Sequence, residues 1–321
     1  MKRLPLYLLF VLSLASAGTA NEPTIDSAKV EFRADIPFLA EGRREKLDLY
    51  LPKSRKPGDQ SHAILLIHGG GWKEGDKAQA REIEFGTFFA ENGFVAASVN
   101  YALRSAGKFP VNLQDCKNGI RYLRAHAQEL AIDPDRIAVM GGSAGGHLAL
   151  MVAYTADDPA LSPAQPYPDV SDKVKAVVDF YGITDIGGRK QTDADGKPTE
   201  LRGMDEEGKA VFGPDEQGWK KASPISHIRR DLPPTLIVHG KRDTTVDRDQ
   251  SQLLADALKK AGAEVELVWL QKAGHSFSLR HEKPKDRKDP LEKNLEPVVL
   301  NFLKKHLRLG SSLPSDLLWA G

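Results

Sequence analysis

The chain has 321 residues, with 45 Lys and Arg against 44 Asp and Glu, so its formal net charge is +1. That balance excludes the strongly basic character typical of nucleic-acid-binding proteins, and we expect no nucleic-acid partner. Hydrophobic residues make up 40% of the chain, enough for the core of one large domain or two smaller ones. The single cysteine, Cys116, excludes an intramolecular disulfide framework and a cysteine-rich zinc site.

The first 20 residues have the pattern of a signal peptide. Lys2 and Arg3 precede an apolar run at 4–14, and small residues follow. This run is shorter than the ~20 residues that a membrane-spanning helix needs, so we expect cleavage after Ala17 or Ala20 and no stable membrane insertion. The protein is then predicted to be exported, and to be periplasmic or extracellular. An uncleaved N-terminal anchor is the alternative.

Beyond the signal segment, strand-like and helix-like patterns alternate. Short apolar or alternating runs predict strands at 46–51, 63–67, 94–99, 136–140, 174–181, 235–238 and 265–270. Apolar residues at helical spacing predict helices at 81–92, 112–130, 146–154, 250–261 and 298–307. This alternation predicts an α/β fold with a mostly parallel central sheet and helices on both faces. We expect a single domain over 21–308 and a tail over 309–321 that takes no part in the chemistry.

Residues 186–221 interrupt this alternation. The segment is dense in glycine and charged residues. It is either a solvated excursion or a lid over a site, because long loops on α/β scaffolds often carry specificity. Its acidic residues at 193–195 lack the remaining spacing of a calcium loop, and we expect neither a metal nor a cofactor.

The strongest local motif surrounds Ser143. Gly-x-Ser-x-Gly at 141–145 stands directly after a predicted buried strand and directly before a predicted helix. A strand–turn–helix of this kind exposes the serine hydroxyl on a sharp turn, and Gly141 and Gly145 relieve the crowding of the backbone there. Ser143 is therefore the candidate nucleophile, and the amide of Ala144 lies at the N-terminus of the helix, where developing negative charge is favoured.

A second motif, His-Gly-Gly-Gly-Trp at 68–72, follows the predicted strand 63–67. Consecutive glycines let backbone N–H groups approach a ligand closely. With the amide of Ala144, those of Gly70 and Gly71 are predicted to form an oxyanion hole. A flexible loop or a phosphate cradle is the alternative, although Trp72 and the residues after it do not supply the Lys-Ser or Lys-Thr of such a cradle. His68 is interpreted as a brace for the loop.

Two further residues complete a candidate catalytic set. His275 stands on a glycine-containing loop just after the last predicted strand, where parallel strands present ligand-binding residues, and is the candidate base. Asp243 follows the strand 235–238 and is the candidate acid that orients the imidazole. Asp247 and Asp185 are the alternative acids.

These motifs resemble the α/β-hydrolase superfamily, and more narrowly its esterase and lipase group with a His-Gly-Gly-Gly-Trp loop and a Gly-Gly-Ser-Ala-Gly-Gly-His elbow. The resemblance covers about 46–307, and the chain order Ser143, Asp243, His275 is that of the superfamily. Hormone-sensitive-lipase-like carboxylesterases and small carbohydrate or feruloyl esterases share the pattern. The former usually carry a sizeable N-terminal cap, whereas only 21–45 precedes the first predicted strand here, so any lid has to come from 186–221.

The resemblance implies a secreted serine carboxylic-ester hydrolase. Its expected partners are a small ester or an acylated oligosaccharide, such as an acetyl or feruloyl ester of a plant polysaccharide fragment. The oligomeric state is left open. The alternatives are a serine peptidase of the prolyl-oligopeptidase type, which usually adds a propeller domain, an arylformamidase, which is expected in the cytosol, and a catalytically silent hydrolase fold used for binding.

Overall fold

The computed structural model describes residues 25–56, 58, 60–203, 205–279 and 294–307. The predicted signal peptide at 1–20 and the tail at 309–321 lie outside these residues. Among the described helices, none has the length and apolar character needed to cross a membrane.

Eight strands form the central sheet. They are β1 (Val30–Ile36), β2 (Leu47–Pro52), β3 (Ser61–Ile67), β4 (Val95–Val99), β5 (Ile132–Gly142), β6 (Ala176–Phe180), β9 (Thr235–Gly240) and β10 (Val265–Leu270). A separate hairpin consists of β7 (Lys190–Thr192) and β8 (Pro198–Leu201). The helices are α1 (Ala80–Glu91), α2 (Val111–Ala125), α3 (Ala127–Leu130), α4 (Ala144–Tyr154), α5 (Glu206–Phe212), α6 (Glu216–Lys221), α7 (Asp249–Ala261) and α8 (Glu296–His306), with 3-10 turns at Arg104–Gly107 and Pro224–His227.

The strand order is β1-β2-β4-β3-β5-β6-β9-β10. The six strands from β4 to β10 in this order are parallel, and β1 and β2 complete one edge in antiparallel pairing. The predicted mostly parallel sheet is confirmed. The carboxyl ends of β3, β5, β9 and β10 lie at one edge, which is where parallel sheets hold ligands.

Side chains of the parallel strands alternate between two cores. In β3, Ala63, Leu65 and Ile67 belong to one core, whereas Ile64 and Leu66 belong to the other. Residues of α2, α4 and α7 fill the first core and residues of α1 and α8 the second. Helices therefore cover both faces, and this explains why residues 63–67 of β3 are an unbroken apolar run.

One prediction of secondary structure needs correction. The helix predicted over 112–130 is divided at His126 into α2 and α3. The ring Nδ1–H and the backbone N–H of His126 both donate to the carbonyl of Tyr122. The first helix ends there because the His126 backbone, with φ −101° and ψ 19°, departs from helical values. The segment 186–221 contains a hairpin and two short helices, α5 and α6, whose first turns are capped by the carboxylates of Asp205 and Asp215.

Candidate active site

Ser143 occupies a strained turn between β5 and α4. Its backbone has φ 59° and ψ −123°, a region that residues other than glycine rarely adopt. Its amide donates to the carbonyl of Phe180 at 2.9 Å, which ties the turn to the neighbouring strand. A Cβ added to Gly145 would lie 2.1 Å from the carbonyl oxygen of Ile67. The helix carrying the serine therefore packs directly on the end of β3.

Gly145→Ala is expected to destabilise the protein by about 3 kcal/mol or more, because the new methyl group meets backbone atoms that cannot move without shifting β3. Urea unfolding measures the change. Gly187→Ala is the control, since its Cβ would meet only side-chain atoms, the Trp219 ring at 3.3 Å and Asp185 Oδ1 at 3.9 Å, and we expect a loss below ~1 kcal/mol. Equal losses in the two variants would contradict the close approach at the elbow.

The loop 68–72 lies beside this turn. Gly70 has φ +108°, and a Cβ there would lie 2.0 Å from the carbonyl oxygen of Glu74, so this position needs glycine. Within the described part of the chain, the amides of Gly70, Gly71 and Ala144 donate no hydrogen bond. Three unsatisfied donors next to Ser143 form a suitable environment for an oxyanion.

His68 lies beneath the loop. It is fully buried, its Nδ1–H donates to the carbonyl of Gly69 at 2.7 Å, and its ring stacks on Tyr101 with centroids 4.4 Å apart. Burial lowers the pKa of His68, so the ring is neutral at pH 7. These contacts are those of a brace that holds the loop.

Trp72 links the loop to α4 and to the insertion. Its indole Nε1–H donates to His147 Nδ1 at 3.2 Å, and His147 Nε2–H donates to the carbonyl of Ala222 at 2.7 Å. Burial lowers the pKa of His147 to about 4. The neutral tautomer required by these two bonds is therefore the stable one, and His147 is packed in a structural role.

Asp243 and His275 lie together at the edge of the sheet. Asp243 follows β9 and is fully buried, and its Oδ2 accepts from His275 Nδ1 at 2.6 Å. Burial opposes ionisation of this carboxyl, but hydrogen bonds from His239 and His275 hold the pKa of Asp243 well below its ordinary value. The acid is thus a carboxylate that fixes the proton of His275 on Nδ1 and leaves Nε2 free to accept one.

His239, at the end of β9, was not predicted to take part in the site. Its Nε2 lies 3.2 Å from both Asp243 Oδ2 and the carbonyl of Val246, and its Nδ1 lies 2.7 Å from the hydroxyl of Ser251. Because Nε2 faces two acceptors, it carries the proton, and the Ser251 hydroxyl donates to Nδ1. His239 therefore supplies a second hydrogen bond to the acid.

Ser143 and His275 line the same cavity of about 870 Å³. The Ser143 hydroxyl makes no hydrogen bond with another described residue. Asp185 and Asp247, the alternative acids, bond to the amides of Gly187 and Lys190 instead. Asp243 is the acid that the structure brings to His275.

Arg81 and Tyr181 are further residues that sequence analysis missed. Arg81 lines the cavity, and its guanidinium donates to the Tyr181 hydroxyl at 2.7 Å and to Glu82 Oε1 at 2.7 Å. The Tyr181 ring packs against the His275 ring with centroids 4.6 Å apart. Tyr181, held by Arg81, therefore packs against His275 from the side of β6.

Asp179, in β6, is a buried carboxyl that this arrangement does not use. Its Oδ1 accepts from the Gly182 amide at 2.9 Å, and its Oδ2 has no hydrogen-bond partner among the described residues. Burial raises the pKa of Asp179 to about 7. The folded state therefore binds this proton more tightly than the unfolded state, and stability falls as pH rises from ~4 to ~7.

We expect Asp179→Asn to be more stable than the natural protein, with an advantage that grows between pH 5 and pH 8 and reaches up to ~4 kcal/mol. The neutral amide keeps the bond to Gly182 without a buried charge. Urea unfolding at several pH values measures the trend, with the exposed Asp169→Asn as control. An advantage independent of pH would contradict the raised pKa.

One group of possible metal ligands lies away from the cavity. Glu264, Glu266 and His306 place their ligand atoms within 4.8 Å of one another. Lys305 Nζ lies 2.7 Å from Glu264 and 3.5 Å from Glu266, so an ammonium already balances these exposed carboxylates.

The sheet, the serine elbow after β5 and the acid and histidine after β9 and β10 define an α/β-hydrolase fold. The model of the BD-FAE family matches residues 47–258, and the chain belongs to that family.

Individual relatives agree with this assignment. The chain is 31% identical over 268 residues to Esterase LipQ of Mycobacterium tuberculosis, which covers 82% of this chain and 62% of LipQ. It therefore spans less than two thirds of the length of this curated relative. Esterase 2 of Thermogutta terrifontis, in a structure phosphonylated by cyclosarin, is 29% identical with a TM-score of 0.67 over 88% of this chain and 96% of that one. A truncated carbohydrate esterase from gut microbiota shares the fold, with a TM-score of 0.71 at 23% identity, over 89% of this chain and 99% of that one.

Proposed function

We propose that this protein is a serine carboxylic-ester hydrolase that works through an acyl-enzyme. The observation that carries the proposal is the 2.6 Å bond from the buried Asp243 to His275, which lines the same cavity as Ser143. The esterase names of LipQ and of the Thermogutta enzyme support it.

The mechanism follows from these positions. His275 Nε2 takes the proton of Ser143 as the hydroxyl attacks the ester carbonyl, and Asp243 stabilises the imidazolium. The amides of Gly70, Gly71 and Ala144 bind the oxyanion. The alcohol leaves with a proton from His275, and water then hydrolyses the acyl-enzyme by the same steps.

We propose short-chain esters as substrates, including acetyl or feruloyl esters of plant polysaccharide fragments. A cavity of about 870 Å³ is large enough for an acyl group together with part of a sugar. The insertion 186–221 contributes Ile186, Arg189 and Phe212 to the cavity wall. We therefore propose that it acts as a lid that selects the substrate.

A fluorophosphonate probe followed by peptide mapping tests the nucleophile. Labelling of Ser143 is expected, and absence of labelling in folded protein would favour a catalytically silent binding protein. Release of acetate from acetylated xylan fragments or ferulate from feruloylated arabinose tests the substrate class. If neither the acetyl nor the feruloyl ester is hydrolysed, cleavage of a prolyl peptide anilide would indicate a peptidase. Cleavage of N-formylkynurenine would indicate an arylformamidase.

Export is proposed from the pattern of residues 1–20. Expression of the full chain in a bacterial host followed by N-terminal sequencing tests it. A mature protein that begins at Gly18 or Asn21 outside the cytoplasm is expected. Retention of Met1 on cytoplasmic protein would overturn the proposal.

A further inference from the structure

Two arginines of the insertion lie side by side on the cavity wall. Arg189 precedes β7, Arg202 follows β8, and both line the cavity with Ser143 and His275. Arg189 Nη2 and Arg202 Nη1 lie 3.4 and 3.5 Å from one acceptor, the carbonyl oxygen of Thr245. The hairpin between them brings residues 13 positions apart in sequence to the same place, since the Arg202 amide donates to the Arg189 carbonyl.

Neither arginine forms an ion pair with a described residue. The nearby carboxylates are engaged elsewhere: Asp205 accepts from the Gly208 amide at 2.7 Å and Asp247 from the Lys190 amide at 2.8 Å. Arg81, by contrast, is paired with Glu82. Among the described residues, the two guanidiniums therefore have only a shared, long hydrogen bond to the carbonyl of Thr245 as a direct contact.

The environment favours an anion at this position. Burial, together with the charge of Arg202, lowers the pKa of Arg189 to about 10, against the opposing effect of Asp247, Asp205 and Asp243. The Arg189 guanidinium is therefore still charged at pH 7, and the guanidinium of Arg202 repels it. An anion between them removes that repulsion and accepts hydrogen bonds from two planar donors. Three acidic residues also line the cavity: Glu74 in the loop after β3, Glu84 in α1, and Asp205 in the insertion, whose Oδ1 accepts from the Gly208 amide.

We propose that Arg189 and Arg202 form a subsite for a carboxylate carried by the ester substrate, so that the enzyme prefers acidic esters to neutral ones. This proposal rests on the proposed esterase function. The carboxylate belongs either to the acyl part, as in a half-ester of a dicarboxylic acid, or to the alcohol part, as in an ester of a uronic or phenolic acid.

Two matched pairs of substrates test the subsite and distinguish these sources. For the acyl part, p-nitrophenyl hydrogen glutarate is compared with p-nitrophenyl methyl glutarate. For the alcohol part, 4-acetoxybenzoate is compared with 4-acetoxybenzamide. Each kcat/KM is divided by the rate of alkaline hydrolysis of the same ester. We expect a charged-to-neutral ratio of at least tenfold in one pair, and a smaller ratio at high salt because screening weakens the attraction.

Arg202→Gln and Arg189→Gln are each expected to reduce that ratio at least fivefold, and Arg202→Lys to restore part of it. Arg230→Gln is the control, because Arg230 is an exposed arginine that does not line the cavity, and it should leave the ratio unchanged. Arg202 is exposed, so its replacement does not threaten the fold, and thermal melting checks this.

Calorimetric titration with monomethyl glutarate and 4-hydroxybenzoate measures the subsite without turnover. Binding to the natural protein that is lost in Arg189→Gln/Arg202→Gln supports the proposal. Ratios near one in both pairs, or ratios unaffected by the arginine variants, overturn it while ester hydrolysis persists. If no ester is cleaved and Ser143 is not labelled, the esterase function itself has failed. In that case the titration still tests the subsite, and absence of anion binding overturns it.

Discussion

Ser143→Ala is expected to lower kcat for a short-chain aryl ester by roughly 10⁴- to 10⁶-fold, because the variant lacks the hydroxyl that attacks the ester carbonyl in the proposed mechanism. The melting temperature should stay within a degree or two, since the hydroxyl makes no hydrogen bond with a described residue and its loss leaves no polar group unsatisfied. Steady-state kinetics and thermal unfolding on the same preparation measure both quantities.

Ser226→Ala is the control for this variant. Ser226 is exposed and does not line the cavity, so activity and fluorophosphonate labelling should match those of the natural protein. Undiminished turnover by purified Ser143→Ala, or undiminished labelling of it, would show that another residue is the nucleophile.

The sheet could be predicted because its parallel strands are buried on both faces. Such strands are short apolar runs bounded by turns, and β3 and β10 lie within two residues of their predicted bounds. The strand β1 was missed although its charged and apolar residues alternate, which is the pattern of a half-buried strand. It is an edge strand without the apolar run that marks the parallel strands, and Phe32 is 39% exposed.

Candidate site residues could be named where the chemistry is local. The turn around Ser143 and the glycines at 69–71 are defined by neighbours in sequence, and their placement follows from backbone sterics. The contact of His239 with Asp243 was not predictable, because it depends on how the turn at 240–246 folds back on the end of β9. Arg81 and Tyr181 come from separate elements, and only the packed structure brings them together.

The insertion shows that the composition of the whole chain does not predict the local charge of its cavity. A net charge of +1 over the chain gave no sign of a local excess of positive charge. Arg189 and Arg202 meet only because β7 and β8 pair, and the glycine-rich, charged sequence of 186–221 does not predict that hairpin. Neutrality of the whole chain therefore says little about the charge inside its cavity.

Asp243→Asn is expected to lower kcat by about 10⁴-fold through the tautomer of His275. The amides of Thr245 and Val246 donate to Asp243 Oδ1 at 2.8 and 2.9 Å, so an asparagine would keep its carbonyl oxygen there. Its NH₂ group would then occupy the position of Oδ2 and donate to His275 Nδ1. The proton of the imidazole would move to Nε2, and the base could no longer accept the proton of Ser143.

The same NH₂ group would face the Nε2–H of His239. Two hydrogen-bond donors would then oppose each other, where Asp243 Oδ2 now accepts from His239. We therefore also expect a loss of stability of about 1–3 kcal/mol, which urea unfolding measures. Asp185→Asn is the control, since Asp185 bonds to the Gly187 amide and not to a histidine, and its kcat should fall less than tenfold. A comparable loss of kcat in both variants would mean that the orientation of His275 does not depend on Asp243.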